Sequence, residues 1–218
     1  MRDPLDRWIS IAFIGAGVSL AAWSGGHPWG QLAGAHVGAS VGWRIAHTGH
    51  FLAGMLLLFA LLGLFARRQS LFRSAFGATT LLLAFTGTAL FMAGGVFTAF
   101  IWPVLAHNAP AIVAADGPFF SPPDKLLFVT TLMFAVGLVL LGTVLHRAGL
   151  ISPVARVLLT IGPVLLMAAP PPLGPAPWIL FALSGVITGT GLASAGLSLL
   201  REPVAAQAHA ATASAQVM

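Results

Sequence analysis

Residues 45–66 read IAHTGHFLAGMLLLFALLGLFA, and Arg67-Arg68 follow at once. The stretch holds no charged side chain. As an α-helix rising about 1.5 Å per residue it is about 33 Å long, enough to cross the hydrocarbon core of a bilayer. Its apolar residues surround the helix rather than line one stripe, the pattern of a helix buried on all sides or immersed in lipid. The basic pair at its end is the usual mark of a membrane boundary.

Five more apolar segments flank this one, at 8–23, 75–102, 125–146, 153–169 and 178–200. The first and fifth are short, and Pro163 is expected to kink the fifth. The third is long and is expected to tilt, or to break near Gly94-Gly95 with its end leaving the membrane toward Pro103. Of 218 residues 58% are hydrophobic and 7% charged, against about 25% charged in soluble domains. The expected fold is therefore all-α: a polytopic transmembrane bundle of six spanning helices forming one domain over residues 1–202, with a disordered tail at 203–218. Segment one has the basic start of a signal peptide, but Asp3, Asp6 and the poor cleavage sequence Ala21-Ala22-Trp23 argue that it is retained.

The basic residues set the expected orientation. Arg2, Arg7, Arg67, Arg68, Arg73, Arg147, Arg156 and Arg201 fall on one side of a six-helix topology, and only Arg44 and Lys125 on the other. The positive-inside rule then places both termini in the cytoplasm. The net charge of +5 reads as topology determinants, not as a nucleic-acid surface. Local signals support the boundaries: Ser121-Pro122-Pro123-Asp124 and Ser152-Pro153 look like capped helix starts, and the prolines from Pro170 to Pro177 suggest a stiff outer loop.

Composition excludes several chemistries. There is no cysteine and no tyrosine, hence no disulfide, thiolate metal site or iron–sulfur cluster. The only acids, Asp3, Asp6, Asp116, Asp124 and Glu202, lie in loops or at helix ends. This disfavours an ion-coupled carrier with an intramembrane carboxylate, and a carboxylate-bridged metal oxidase. No catalytic motif stands out, and an enzyme is not the expected reading.

Histidines are the one suggestive group. His27, His36, His47, His50 and His107 fall on the outer side. His47 and His50, three apart, share a face of the second helix near its outer end, and His107 closes the third segment. Imidazole is a common haem and metal ligand, and idle imidazoles are costly in membranes. His47, His50 and His107 are thus candidates for binding a cofactor such as haem b, and His27 and His36 for a histidine-ligated metal. The path of the glycine-rich stretch carrying Gly30, Gly34, Gly38 and Gly42 is open between a packed or re-entrant helix and an irregular loop. Tryptophans 8, 23, 29, 43, 102 and 178 all fall at expected interfaces and read as an aromatic belt. Gly185 and Gly189 read as a packing pair within the chain. Thr86-Gly87-Thr88-Ala89-Leu90 echoes Thr188-Gly189-Thr190-Gly191-Leu192, as an inverted 3+3 repeat would, although chance among Gly, Ala, Thr and Leu is the favoured explanation.

His27-Pro28, Ala46-His47, Leu62-Gly63-Leu64, Pro103 to Ala106 with Ala109-Pro110, Gly117-Pro118 and Arg147-Ala148-Gly149 together resemble a loose group of uncharacterised six-helix bacterial inner-membrane proteins. That resemblance implies a fold and an inner-membrane location, and no activity. Three roles follow as expectations. The first is a non-catalytic membrane protein or accessory subunit, contacting the bilayer and other membrane subunits. The second is a haem- or metal-binding protein using the outer histidines. The third is a facilitator for a small neutral solute along Thr- and Gly-rich helices.

Overall fold

The computed structural model describes residues 3–27, 40–113, 124–168 and 175–201. These residues are helical throughout: α1 (Pro4–Gly26), α2 (Val41–Arg67), α3 (Ala75–Val96), a π-helical turn (Phe97–Ile101), α4 (Trp102–Asn108), α5 (Asp124–Arg147), α6 (Pro153–Ala168) and α7 (Pro175–Arg201). The α3, π-turn and α4 segments form one rod, so six helical rods make the bundle. Five are long and apolar enough to cross a membrane, and α6 is a shorter apolar helix. The chain is built as a multi-pass membrane protein. Its outer surface agrees, with Val18, Phe59, Leu82, Val154 and Ile179 each more than half exposed, as side chains bathed in lipid would be.

Helix starts have local causes. Asp3 accepts from the Leu5 amide at 2.8 Å, Ser40 from Trp43 at 3.1 Å, Ser74 from Gly77 at 3.1 Å and Ser152 from Ala155 at 3.1 Å. Each side chain satisfies an amide the helix leaves without a partner. α7 begins at Pro175, inside the expected proline loop, because a first-turn proline gives up no hydrogen bond there. α5 ends at Gly149 with φ +72°. The Leu150 amide reaches Leu145 O and the Gly149 amide reaches His146 O, both at 2.9 Å. This is the left-handed cap that glycine permits. α6 runs unbroken through Pro163. The expected cap at Ser121 and the stretch holding Gly30, Gly34, Gly38 and His36 lie outside the described residues, as does the tail.

The helices close into a ring in which each packs on two neighbours, in the order α1, α2, α3, α5, α6, α7 and back to α1. Neighbours run antiparallel. Gly54 meets Met92, Ala84 meets Gly137, Leu159 meets Gly191, and Ile14 meets Gly196. Arg7, Arg67, Arg68, Arg73, Arg147, Arg156 and Arg201 therefore gather at one end, with Arg67 paired to Asp3 at 3.1 Å and Asp6 at 3.4 Å. Arg44, His27, His47, His50 and His107 lie at the other.

Within hydrocarbon, helices gain little from burying apolar surface against one another, so close backbone approach must supply the attraction. The ring is closed by such an approach. A Cβ on Gly17 or Gly189 would strike the other helix's backbone, and one on Gly196 would stand 2.6 Å from Ser10 O. The Gly185–Gly189 pair thus packs α7 on α1 within the chain. Gly87, the counterpart of Gly189 in the sequence echo, packs α3 on α5 in the same way, with a Cβ placed 2.6 Å from Phe134 Cα. Each echo glycine thus sits where one three-helix half meets the first helix of the other. The segment around Gly94-Gly95 does not break, because Gly95 is used to seat α3 on the Phe51 backbone. The irregularity comes later, at the π turn.

Replacing Gly189 by Leu should lower the unfolding temperature in detergent by an amount equivalent to about 1–3 kcal/mol or more, the range for overpacking. Gly26→Ala, where no atom lies within 4 Å of the new methyl, should leave it unchanged. Thermal unfolding followed by circular dichroism reads both.

Candidate site: a histidine–tryptophan cluster at one end of the bundle

The cluster starts from a proline. In the π turn the Trp102 amide bonds to Phe97 O, one residue further back than in an α-helix. Continuing that pattern, residue 103 would donate to Thr98 O, but residue 103 is proline and has no N–H. Trp43 supplies the missing donor: its indole Nε1–H bonds to Thr98 O at 2.8 Å. The bond pins the first turn of α2 to the end of the α3 rod, and Trp102 stacks on Trp43 at 5.6 Å.

Trp43 begins a buried stripe on α2 made of residues 43, 47, 50, 54, 57, 61 and 64. The alternating spacing of four and three holds them on one face, so both helical histidines point inward. His47 lies 4.2 Å from the Trp43 ring. His27, directly after α1, lies 5.1 Å from Trp43, and its Nε2 stands 3.1 Å from His47 Nε2. One turn deeper, His50 is sandwiched between Trp23 at 4.5 Å and Phe91 at 4.0 Å. Its ring rests against the Phe91 backbone, but neither nitrogen makes a hydrogen bond of sound geometry. Phe91 stacks on Phe134 at 4.3 Å, and Trp23 meets Phe181 edge-on at 5.5 Å. Rings from α1, α2, α3, α5 and α7 thus meet across the bundle.

His27, His47 and His50 therefore come together. His107 does not join them: it is exposed and lines a groove with Arg44, Pro103, Val104 and Asn108. His36 lies outside the described residues. The aromatic belt needs correction. Trp8 is 67% exposed, but Trp23, Trp43 and Trp102 are 3–6% exposed and form the walls of the histidine cluster. Only packing geometry separates an inward tryptophan from an interfacial one. Trp29 lies outside the described residues.

Desolvation inside this aromatic wall pushes the His27 imidazole down to about 4, so at neutral pH it carries no charge and offers a lone pair. Two nitrogens bound to one ion at about 2.0–2.1 Å stand about 2.9 Å apart at a right angle and about 3.4 Å apart at the tetrahedral angle. The His27–His47 separation falls between these values, and it also suits a direct imidazole–imidazole hydrogen bond. Among the described residues no group of three or more His, Cys, Asp or Glu could hold a metal ion; the pair provides two donors. Haem b does not fit. Axial nitrogens of a bis-histidine haem stand about 4 Å apart on opposite sides of the iron, and here aromatic rings pack directly on the imidazoles where a macrocycle would lie.

Five of the threonine hydroxyls expected to line a polar path are turned to their own helices, while that of Thr88 is buried without a hydrogen-bond partner among the described residues. Thr80, Thr98, Thr143, Thr160 and Thr190 each donate to the carbonyl four residues back in their own helix, at 2.8–3.0 Å. Ser184 is buried and donates to Gly162 O at 2.8 Å, tying α7 to α6.

Trp43→Phe keeps the ring and removes the donor, leaving the Thr98 carbonyl unmatched. We expect a loss of about 1–2 kcal/mol, read as a lower unfolding temperature, while Trp8→Phe changes nothing.

No protein-family model, no curated protein and no solved structure matches the chain. The resemblance to six-helix bacterial membrane proteins is thus not tied to a family, and what stands is an all-helical protein with five long apolar helices.

Proposed function

We propose that this multi-pass membrane protein binds a transition-metal ion between His27 and His47, at the outer end of a bundle set in the bacterial inner membrane. The observation that carries the reading is the 3.1 Å approach of the two Nε2 atoms, within the range set by cis coordination of one ion. Imidazole donors suit copper, zinc, iron or nickel rather than magnesium or calcium. His36, fourteen residues before His50 in the segment joining α1 to α2, has the chemistry to complete the ligand set. His50 below the pair, and the flanking faces of Trp23 and Trp43, would keep water out and hold the imidazoles in place.

The outward placement of this end follows from the arginines gathered at the opposite one. The role is one of binding, with no reaction attached. A solute path through the bundle is the weaker reading, since five threonine hydroxyls serve their own helices and aromatic rings cross the bundle at the histidine level.

Protein purified in mild detergent and titrated with copper and zinc against a competing chelator should take up about one ion per chain. His27→Gln and His47→Gln should each weaken binding at least about tenfold, and His107→Gln should not. A folded protein that takes up no metal, or metal uptake indifferent to His27 and His47, would overturn the proposal and leave the pair as a hydrogen bond.

A further inference from the structure

At the same end, on the outside of the bundle, the first turn of α2 and α4 enclose a groove of about 280 Å³ lined by Arg44, Pro103, Val104, His107 and Asn108. Arg44 is exposed and makes no ion pair among the described residues. It also sits at the positive end of a long helix with no acid in its first turn. A guanidinium at a membrane boundary needs a counter-ion, and neither α2 nor α4 carries a carboxylate near it. Asn108 donates an amide N–H to Val104 O at 3.0 Å, and Arg44 and His107 line the groove beside it.

The rest of the surroundings is apolar. Ile45 beside Arg44 is 69% exposed, Val104 57%, and Phe100, in the π turn before α4, 53%. A soluble anion gains nothing from these side chains, whereas an acyl chain covers them. We propose that the groove binds one anionic phospholipid, its phosphate on Arg44 and an acyl chain along Ile45, Phe100 and Val104. Trp43 and Trp102, which stack on each other at 5.6 Å, are the chain neighbours of the lining residues Arg44 and Pro103, so the lipid would brace the wall of the histidine cluster from outside. The proposal does not depend on a metal being bound.

Native mass spectrometry of the full chain in detergent tests it, with phosphatidylglycerol, phosphatidylcholine and inorganic phosphate as probes. The expected result is one phosphatidylglycerol retained in preference to phosphatidylcholine, weakened at least about fivefold by Arg44→Gln, since a paired phosphate contact is lost, and kept by Arg44→Lys. Arg44 is exposed, so unchanged thermal unfolding of Arg44→Gln will show that the fold is intact. Equal retention of phosphatidylcholine, or of phosphatidylglycerol by Arg44→Gln, would overturn the proposal. So would inorganic phosphate displacing the lipid at similar concentration, which would make the groove a site for the free ion.

Discussion

Inside a bilayer no water is available to satisfy a backbone carbonyl, so every break in a helix must be answered by another part of the protein. In this chain the break is Pro103 and the answer is Trp43. Removing one N–H frees Thr98 O, the indole takes it, and the start of α2 is fixed against the end of the α3 rod. Everything at that end follows from the fix. The Trp43 ring becomes the surface against which His27 and His47 lie, and Trp102 stacks on it.

The second constraint is the closure of the ring. With lipid as solvent, the gain comes from backbones that nearly touch, and glycines make that possible at the α1–α7, α2–α3 and α3–α5 crossings. A ring closed this way leaves its central side chains no slack. The rings of Trp23, His50, Phe91 and Phe134 therefore pack face to face or edge to face, and a planar cofactor has no room between them. A single ion between two imidazole edges asks for far less space.

The helices were legible in the sequence to within a few residues, because long apolar runs admit little else in a membrane and Ser152-Pro153 marks a start by ordinary capping chemistry. That His47 and His50 share one face of α2 was legible too, from their spacing of three; that this face turns inward was not. Three further features were not. The tryptophans near helix ends suit either an interface or an interior, and hydropathy cannot separate the two in a helix apolar on every face. The alternating 4–3 spacing from Trp43 through His47 and His50 to Leu64 was the available signal. The π turn was masked by Gly94-Gly95, which looked like the weak point of the long segment. Glycine is tolerated there because Gly95 is spent on packing against Phe51, and the missing N–H of Pro103 was the true cause of irregularity. His27 and His47 stand twenty residues apart in sequence, and no local pattern reports their approach.

X-ray absorption on copper- or zinc-loaded protein tests the His27–His47 site most directly. At least two imidazole rings should be seen at about 2.0 Å from each ion, falling by one in His27→Gln. A spectrum without imidazole scattering, or one unchanged by that substitution, would contradict a metal held between the two histidines.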